Sequence, residues 1–294
     1  MHPSRRDFLR VSGIAGITFL LKPFDLSGII SEAGFLNRLG ISTSISNSGI
    51  LASAGYSFVE ENAREFLVPS DPDSDFASNL ARLKESKLPL EACNTFLPGN
   101  LKCVGPSPAH EEILKFAETA FRRAKQAGIK TIVLGSGGSR KIPEGFSHEE
   151  ATQQFIALCK KLAPVARKFD VIISLEALNK NECNFINSLS EAGEIVKSVN
   201  NANFRLCVDI YHMLMENESP DDILIYGNLL YHAHIAEKTD RTAPGVNNEN
   251  FIPYFRALKE VNYKGRLTIE CNWKNLEDQA SPAKSYLDKQ IGSV

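Results

Sequence analysis

The feature that most restricts the fold of this chain is an alternation of short apolar runs with longer amphipathic stretches, which repeats eight times from about Gly40 onward. Apolar runs rich in β-branched residues, separated by segments of helical period, are typical of parallel βαβ units. Eight such units in about 250 residues match the size of a closed barrel, so we predict a single (β/α)8 TIM barrel. The predicted strands are Gly40–Ile45, Tyr56–Glu60, Leu90–Phe96, Lys130–Leu134, Val171–Glu176, Phe204–Asp209, Leu229–Ile235 and Arg266–Glu270.

The stretches between the strands have the marks of helices. Apolar residues lie on one face of Ser107–Ala127, and similar patterns cover Ser188–Asn200 and Asn248–Val261. Ser147, with Glu150 three residues later, forms a capping box that predicts a helix start. An open, doubly wound sheet is the competing fold, but no Gly-rich phosphate-binding turn follows the first strand.

The first 35 residues differ from the rest of the chain. Paired Arg5 and Arg6, followed by Asp7-Phe8-Leu9, precede an apolar run that is too short to span a bilayer. This pattern resembles a twin-arginine export signal. We therefore predict an export signal and leader over residues 1–35, a barrel domain over residues 36–294, and a periplasmic protein that uses the twin-arginine export machinery. The protein stays anchored to the membrane if the signal is uncleaved, and an N-terminal extension with a chance arginine pair is the alternative.

Composition excludes one class of ligand. The net charge is −2, the sequence pI is near 6.3, and no run of Lys and Arg is interleaved with aromatic residues. Such a chain has no long-range attraction for a polyanion, so we expect no nucleic-acid partner. The six cysteines include no C-x-x-C pair, and we expect buried free thiols in preference to disulfides.

The last four predicted strands each end in a side chain that can bind a metal: Glu176, Asp209, His234 and Glu270. The carboxyl ends of barrel strands share one mouth, where three carboxylates repel one another unless a cation or protons compensate them. Oxygen-rich ligation with one imidazole suits Mn²⁺ best, with Mg²⁺, Co²⁺ or Zn²⁺ as alternatives. An acid at a single strand end is more often a helix cap or an ion-pair partner, so the prediction depends on the coincidence of four.

At these residues the chain resembles the xylose isomerase-like barrel superfamily, in particular the sugar isomerases and epimerases of the tagatose and psicose 3-epimerase type. The resemblance extends over roughly residues 40–273. The motifs that carry it are Glu176-x-x-Asn179-x-x-Glu182, Asp209-x-x-His212, His234 with Arg241 downstream, and Glu270.

The resemblance implies that one divalent metal chelates the carbonyl and an adjacent hydroxyl of a ketose or keto-sugar. Glu176 and Glu270, besides binding the metal, would then move a proton through a metal-stabilised cis-enediolate. Glu182, His212 and Arg241 would bind the sugar substrate. The stretch from His234 to Arg241 is one residue longer than the family pattern, so Lys238 or Asp240 is an alternative to Arg241.

Several features nearby have two interpretations each. Glu182 is alternatively a surface acid, and His212 a residue at a helix start. Arg140, at the end of a Gly-rich turn, either approaches the substrate or belongs to a tight turn. The same two interpretations apply to Trp273, Asn94 and Phe96: each either contacts the sugar or covers the barrel mouth. His232 points to the same side as His234 and is expected to pack behind it.

Other functions fit the same fold. A metal-dependent lyase, such as a dehydratase of a keto-sugar or inosose, is the main alternative because the same intermediate can expel a hydroxyl. An apurinic endonuclease needs further histidines that this chain lacks, and a sugar-binding barrel without turnover is the third alternative. A homo-oligomer is compatible with the sequence.

Overall fold

The computed structural model describes residues 35–294, and within them it confirms the predicted single (β/α)8 barrel. Eight parallel strands follow one another around the ring in chain order, and the first pairs with the last. The strands are β1 (Leu39–Ser42), β2 (Phe58–Asn62), β3 (Leu90–Asn94), β4 (Thr131–Leu134), β5 (Ile172–Glu176), β6 (Phe204–Asp209), β7 (Leu230–Ile235) and β8 (Arg266–Ile269).

The export signal predicted over residues 1–35 lies outside the described residues except for Phe35, and it stays a prediction, as does the domain boundary. Fractionation of cells carrying the Arg5→Lys, Arg6→Lys variant would test it. No helix within residues 35–294 combines the length and the apolar character needed to cross a bilayer.

Helices connect the strands on the outside of the ring. They are α1 (Ser48–Ser53), α2 (Ala63–Phe66), α3 (Asp73–Lys84), α4 (His110–Ala127), α5 (Gly137–Arg140), α6 (His148–Lys168), α7 (Leu189–Val199), α8 (Ile210–Glu216), α9 (Asp221–Tyr226), α10 (Ile252–Glu260) and α11 (Leu276–Ile291). Short 3-10 turns cover Ile45–Asn47, Gly227–Leu229 and Thr239–Arg241.

The helix boundaries follow the capping residues. The Ser147 hydroxyl accepts a hydrogen bond from the Glu150 N–H at 3.3 Å, and Ser188 caps α7 in the same way. Gly128 ends α4 in the left-handed conformation, with φ of 78°. Helix α10 begins four residues later than predicted, because Asn248 is left-handed, with φ of 60°, and the chain becomes helical only at Ile252.

The interior of the barrel is packed, and its two ends differ. At the N-terminal end, Arg38 and Arg266 both form ion pairs with Glu91, which neutralises charge at that end of the ring. Near the starts of β1 and β2, the Phe58 ring occupies the space beside Gly40, where a Cβ would lie 2.4 Å from it. The carboxyl ends of the strands meet at the opposite end, where Asp209 and His234 are register partners. All six cysteines are free thiols, of which five are buried as expected from sequence, whereas Cys271 is half-buried.

Candidate metal centre and cleft

The four predicted ligands come together at the carboxyl end of the barrel. Glu176, Asp209 and His234 lie on β5, β6 and β7, and Glu270 directly follows β8. One donor atom from each lies within 4.8 Å of the others. Nδ1 of His234 is 2.7 Å from a Glu176 oxygen, 3.4 Å from a Glu270 oxygen and 3.9 Å from Oδ2 of Asp209. The imidazole therefore faces all three carboxylates through the same nitrogen.

Asp209 provides the test of whether a cation fits this cluster. Its Oδ1 caps helix α8 by accepting hydrogen bonds from the N–H groups of Tyr211 at 2.8 Å and His212 at 3.4 Å. Its Oδ2 is buried and has no hydrogen-bond partner, and it lies 3.5 Å from Nε2 of His212, 3.8 Å from the Arg241 guanidinium and 3.9 Å from Nδ1 of His234. A buried carboxylate oxygen without a donor is costly, and a divalent cation would satisfy it. Three carboxylates and one imidazole are the kind of donor set that Mn²⁺ and related ions accept.

The charges of the cluster shift its pKa values in different directions. Burial raises the pKa of Glu176, and the carboxylates of Glu270 and Asp209 add to this. Burial alone would raise the pKa of Glu270, but His234 and Arg241 lower this pKa to about 2. The pKa of His234 lies well above its ordinary value, because nearby carboxylates outweigh its burial. A proton on His234 therefore compensates part of the negative charge, a role that a divalent cation can take over.

The three predicted substrate-binding residues border the same cleft, which has a volume of about 300 Å³ and is also lined by Glu176 and Glu270. The Arg241 guanidinium forms an ion pair with Glu270, and its Nε donates to the Glu270 carbonyl at 3.1 Å. Its Nη1 lies 3.5 Å from a Glu182 oxygen. The guanidinium also stacks over the Tyr211 ring, 4.6 Å from its centre. Arg241 thus places one positive charge beside the candidate ligands.

One ring nitrogen of His212 is hydrogen-bonded, and the other has no hydrogen-bond partner. Its Nδ1 accepts a hydrogen bond from the Asn179 N–H at 3.1 Å. Its Nε2 has no hydrogen-bond partner and lies 3.5 Å from Oδ2 of Asp209. The Asn179 side chain donates to Glu182 at 3.0 Å, so the two residues at either end of the Asn179-x-x-Glu182 segment are connected. The arrangement leaves the buried Nε2 of His212, a residue that lines the cleft, without a hydrogen-bond partner.

The loop between His234 and Arg241, which the resemblance predicts to be one residue longer than the family pattern, contains two left-handed residues. Asp240 and Arg241 both adopt left-handed conformations, with φ of 55° and 50°. The loop is fixed by the buried Glu237 carboxylate, which accepts from the N–H groups of Gly245 at 2.8 Å and Asn247 at 2.6 Å. Lys238 is exposed and donates to Asn217, and neither it nor Asp240 lines the cleft. Arg241 is therefore the residue of this loop that reaches the site.

The structure also places Arg140, Phe96 and Trp273, for each of which the sequence allowed two interpretations. Arg140 is buried and donates to the carbonyl oxygen of Glu176 at 2.8 Å, so it supports the end of β5 and does not approach the cleft. Phe96 is a core residue that packs against Phe116 and Phe121. Trp273 is half-buried, packs against the core and is not among the residues that line the cleft.

Sequence reasoning missed residues on the early strands that contact the candidate ligands. Asn94, expected from sequence either to contact the sugar or to cover the barrel mouth, lines the cleft and donates from Nδ2 to a Glu270 oxygen at 2.5 Å and to Ser42 Oγ at 2.7 Å. Glu60, on β2, is fully buried and lies 3.0 Å from Nε2 of His234. Burial opposes the shift, but His234 and His232 hold the pKa of Glu60 well below its ordinary value. The available signal was an acid in a predicted barrel strand, because such an acid needs a partner when it is buried.

Comparisons with known proteins agree with this architecture. L-Ribulose 3-epimerase from Methylomonas sp. strain DH-1 is 30% identical over 170 residues, which cover 51% of this chain and 59% of that protein. Hydroxypyruvate isomerase of Escherichia coli K12 is 26% identical over 167 residues, 56% of this chain and 63% of the relative. The chain therefore matches less than two thirds of the length of these curated relatives.

A solved structure and a family model extend the comparison to most of the barrel. The crystal structure of D-psicose 3-epimerase with D-tagatose from Clostridium cellulolyticum H10 superimposes with a TM-score of 0.76 at 19% identity, and the match covers 86% of this chain and 99% of that chain. At this identity the likeness shows the fold. The model of the xylose isomerase-like TIM barrel family matches residues 49–290. Because that match spans most of the chain, the protein belongs to the xylose isomerase-like TIM barrel family.

Proposed function

We propose that the protein is a divalent-metal-dependent epimerase or isomerase of a ketose or keto-sugar. The observation that carries the proposal is that Glu176 and Glu270 both line the cleft but come from β5 and β8, with β6 and β7 between them. Two carboxyl groups from different strands would therefore face a molecule bound in the cleft. Inversion of a carbon needs this geometry, because one group removes a proton from one face and another returns a proton to the opposite face.

The remaining residues of the cleft have roles that fit this reaction. Arg241 brings a positive charge to the place where negative charge develops on the substrate oxygens. Glu182 and the free Nε2 of His212 are suited to hydrogen bonds with sugar hydroxyls. Glu176, Asp209, His234 and Glu270 would hold the metal, for which we propose Mn²⁺, with Mg²⁺, Co²⁺ or Zn²⁺ as alternatives. When bound, the ion would polarise the substrate carbonyl and acidify the adjoining C–H bond.

The names of the relatives support the substrate class. L-Ribulose 3-epimerase and hydroxypyruvate isomerase are named for reactions that move a proton next to a carbonyl group. A lyase that removes water from a keto-sugar uses the same first proton transfer, and no residue of the cleft favours it over the epimerase.

The test is product analysis in D₂O. The protein loaded with Mn²⁺ is incubated with a panel of ketoses, keto-sugars and inososes, and the products are followed by NMR. We expect an isomeric or epimeric sugar that carries deuterium at the reacting carbon. Glu176→Gln and Glu270→Gln should each lower turnover by about 10² to 10⁴. A dehydrated product would identify a lyase instead, and the absence of turnover with every compound would contradict an enzyme acting on these substrates.

A further inference from the structure

A second buried carboxylate lies beneath the candidate metal centre and is not part of the cleft. Glu60, on β2, and its partners His232 and Thr268 are all fully buried. Oε1 of Glu60 is 3.0 Å from Nε2 of His234. Oε2 accepts from Nε2 of His232 at 2.8 Å and from the Thr268 hydroxyl at 2.7 Å. One carboxylate thus connects β2 with β7 and β8 across the inside of the barrel.

The contact with Glu60 determines which nitrogen of His234 can bind a metal. An ionised carboxylate only accepts hydrogen bonds, so Nε2 of His234 carries the hydrogen. In the neutral ring, Nδ1 then keeps its lone pair and directs it at Glu176, Asp209 and Glu270. We infer that Glu60 is a positioning residue of the metal centre, which holds the His234 ring in the orientation and tautomer that metal binding requires. This inference rests on the metal-dependent function proposed above.

Glu60 is unsuited to the other roles that a buried acid could have. It does not line the cleft, so it cannot contact a substrate there. Glu60, His232 and His234 also bring donor atoms within 4.8 Å of one another, as a metal site would. In this group, however, both oxygens of Glu60 already accept hydrogen bonds. The group of four candidate metal ligands, in contrast, contains the unpartnered Oδ2 of Asp209. Glu60 and its partners therefore support the candidate metal centre and do not bind an ion themselves.

The role needs a carboxylate and not merely a polar side chain. Three donors converge on Glu60, two imidazole N–H groups and one hydroxyl, and the two oxygens of a carboxylate can accept all of them. An amide has one acceptor and would turn N–H groups toward at least one donor. The negative charge also makes the far nitrogen of the imidazole a stronger ligand. Glu60→Gln should therefore weaken metal binding while nearly preserving the volume of the side chain.

The first experiment measures Mn²⁺ affinity by electron paramagnetic resonance titration, with folding checked by circular dichroism. We expect Glu60→Gln to weaken binding about 10- to 100-fold. Thr268→Val removes one donor to Glu60 but keeps the Glu60 contact with His234, and affinity should stay within about threefold of the wild type. Glu91→Gln, the same substitution at the other end of the barrel, serves as the matched control. Unchanged affinity in a folded Glu60→Gln protein would overturn the inference.

A second measurement uses the wild-type protein and does not depend on any variant folding. In protein labelled with ¹⁵N-histidine and loaded with diamagnetic Mg²⁺, the inference predicts that His234 carries hydrogen at Nε2 and none at Nδ1. Hydrogen at Nδ1 in the loaded protein would overturn it. If the wild type binds none of Mn²⁺, Mg²⁺, Co²⁺ and Zn²⁺, the proposed metal-dependent function fails, an outcome that differs from tight binding in both the wild type and Glu60→Gln.

Discussion

The early and late halves of the barrel contribute to the cleft in different ways. Each of the strands β5 to β8 leads to one candidate metal ligand, whereas Glu60, Asn94 and Gly135, on or directly after β2, β3 and β4, contact those ligands. The late half thus provides the donor atoms, and the early half contacts three of the four ligands, whereas Asp209 is held by the start of α8. Substitutions in the two halves should therefore affect metal binding to different degrees.

The largest effect is expected in the late half, from Asp209→Asn. The amide oxygen can still cap helix α8, so the fold should be retained, but the unpartnered carboxylate oxygen and its charge are lost. We expect Mn²⁺ affinity to fall by more than about 100-fold, because loss of a ligand exceeds the usual effect of losing a supporting contact. Titration calorimetry measures this, with Asp221→Asn, an exposed acid at the start of α9, as control. Retained affinity would show that Asp209 is not a ligand.

An intermediate effect is expected in the early half, from Gly135→Ala. A Cβ at Gly135 would lie 2.0 Å from Oε2 of Glu176, so the carboxylate must move away from its present position. Turnover and Mn²⁺ affinity should each fall roughly 10-fold, although no polar group has been removed. Gly49→Ala, where the added Cβ has no neighbour within 4 Å, is the matched control. Equal behaviour of the two variants would mean that the early half does not position Glu176.

The smallest effect concerns an acid of the late half that lies outside the cleft. Burial raises the pKa of Glu218 to about 7, and its carboxylate accepts a hydrogen bond from the Leu189 N–H at 2.7 Å. The folded-state pKa exceeds the ordinary 4.5, so the associated stability is present below pH 4.5 and is lost as the pH rises through 7.

Glu218→Gln tests this by removing the titration. Urea unfolding at several pH values between 4.5 and 8 should give a wild-type stability that falls, relative to the variant, by about 1 kcal/mol after allowance for solvent screening. Mn²⁺ affinity should not change, because Glu218 does not line the cleft. Parallel stability curves for the two proteins would contradict the raised pKa, and a loss of affinity would extend the site beyond the strand ends.

The same difference between the halves explains what the sequence could predict. Glu176, Asp209, His234 and Glu270 each end a recognisable strand, so the common direction of the strands was enough to bring them together. Glu60 could not be paired with His234 in this way, because their contact depends on how two strands face each other across the barrel. Gly135 matters through the space it leaves for Glu176, and Arg140 through a carbonyl oxygen, and neither property shows in a spacing pattern.

The backbone conformation of the loop after β7 could not be predicted from the sequence either. Because the spacing differs from the pattern that the resemblance predicts, the sequence left Lys238, Asp240 and Arg241 as candidates for one substrate-binding role. The outcome depends on two left-handed residues and on Glu237, whose carboxylate fixes backbone groups several residues further along. Hydrogen bonds of this kind, between a side chain and backbone groups further along a loop, cannot be predicted from the spacing of residues.

The pairing of β1 with β8 has a consequence for the order of folding. Leu39 and Ile41 pair with Leu267 and Ile269, and Glu270 follows immediately, so this residue takes its place only when the two ends of the barrel join. Contacts between distant parts of a chain form slowly, because the entropy of loop closure is lost before the contact contributes. On a growing chain, Glu176, Asp209 and His234 leave the ribosome before their fourth partner. The complete donor set is therefore a late product of folding, and a cation that depends on all four residues reports that the ring has closed.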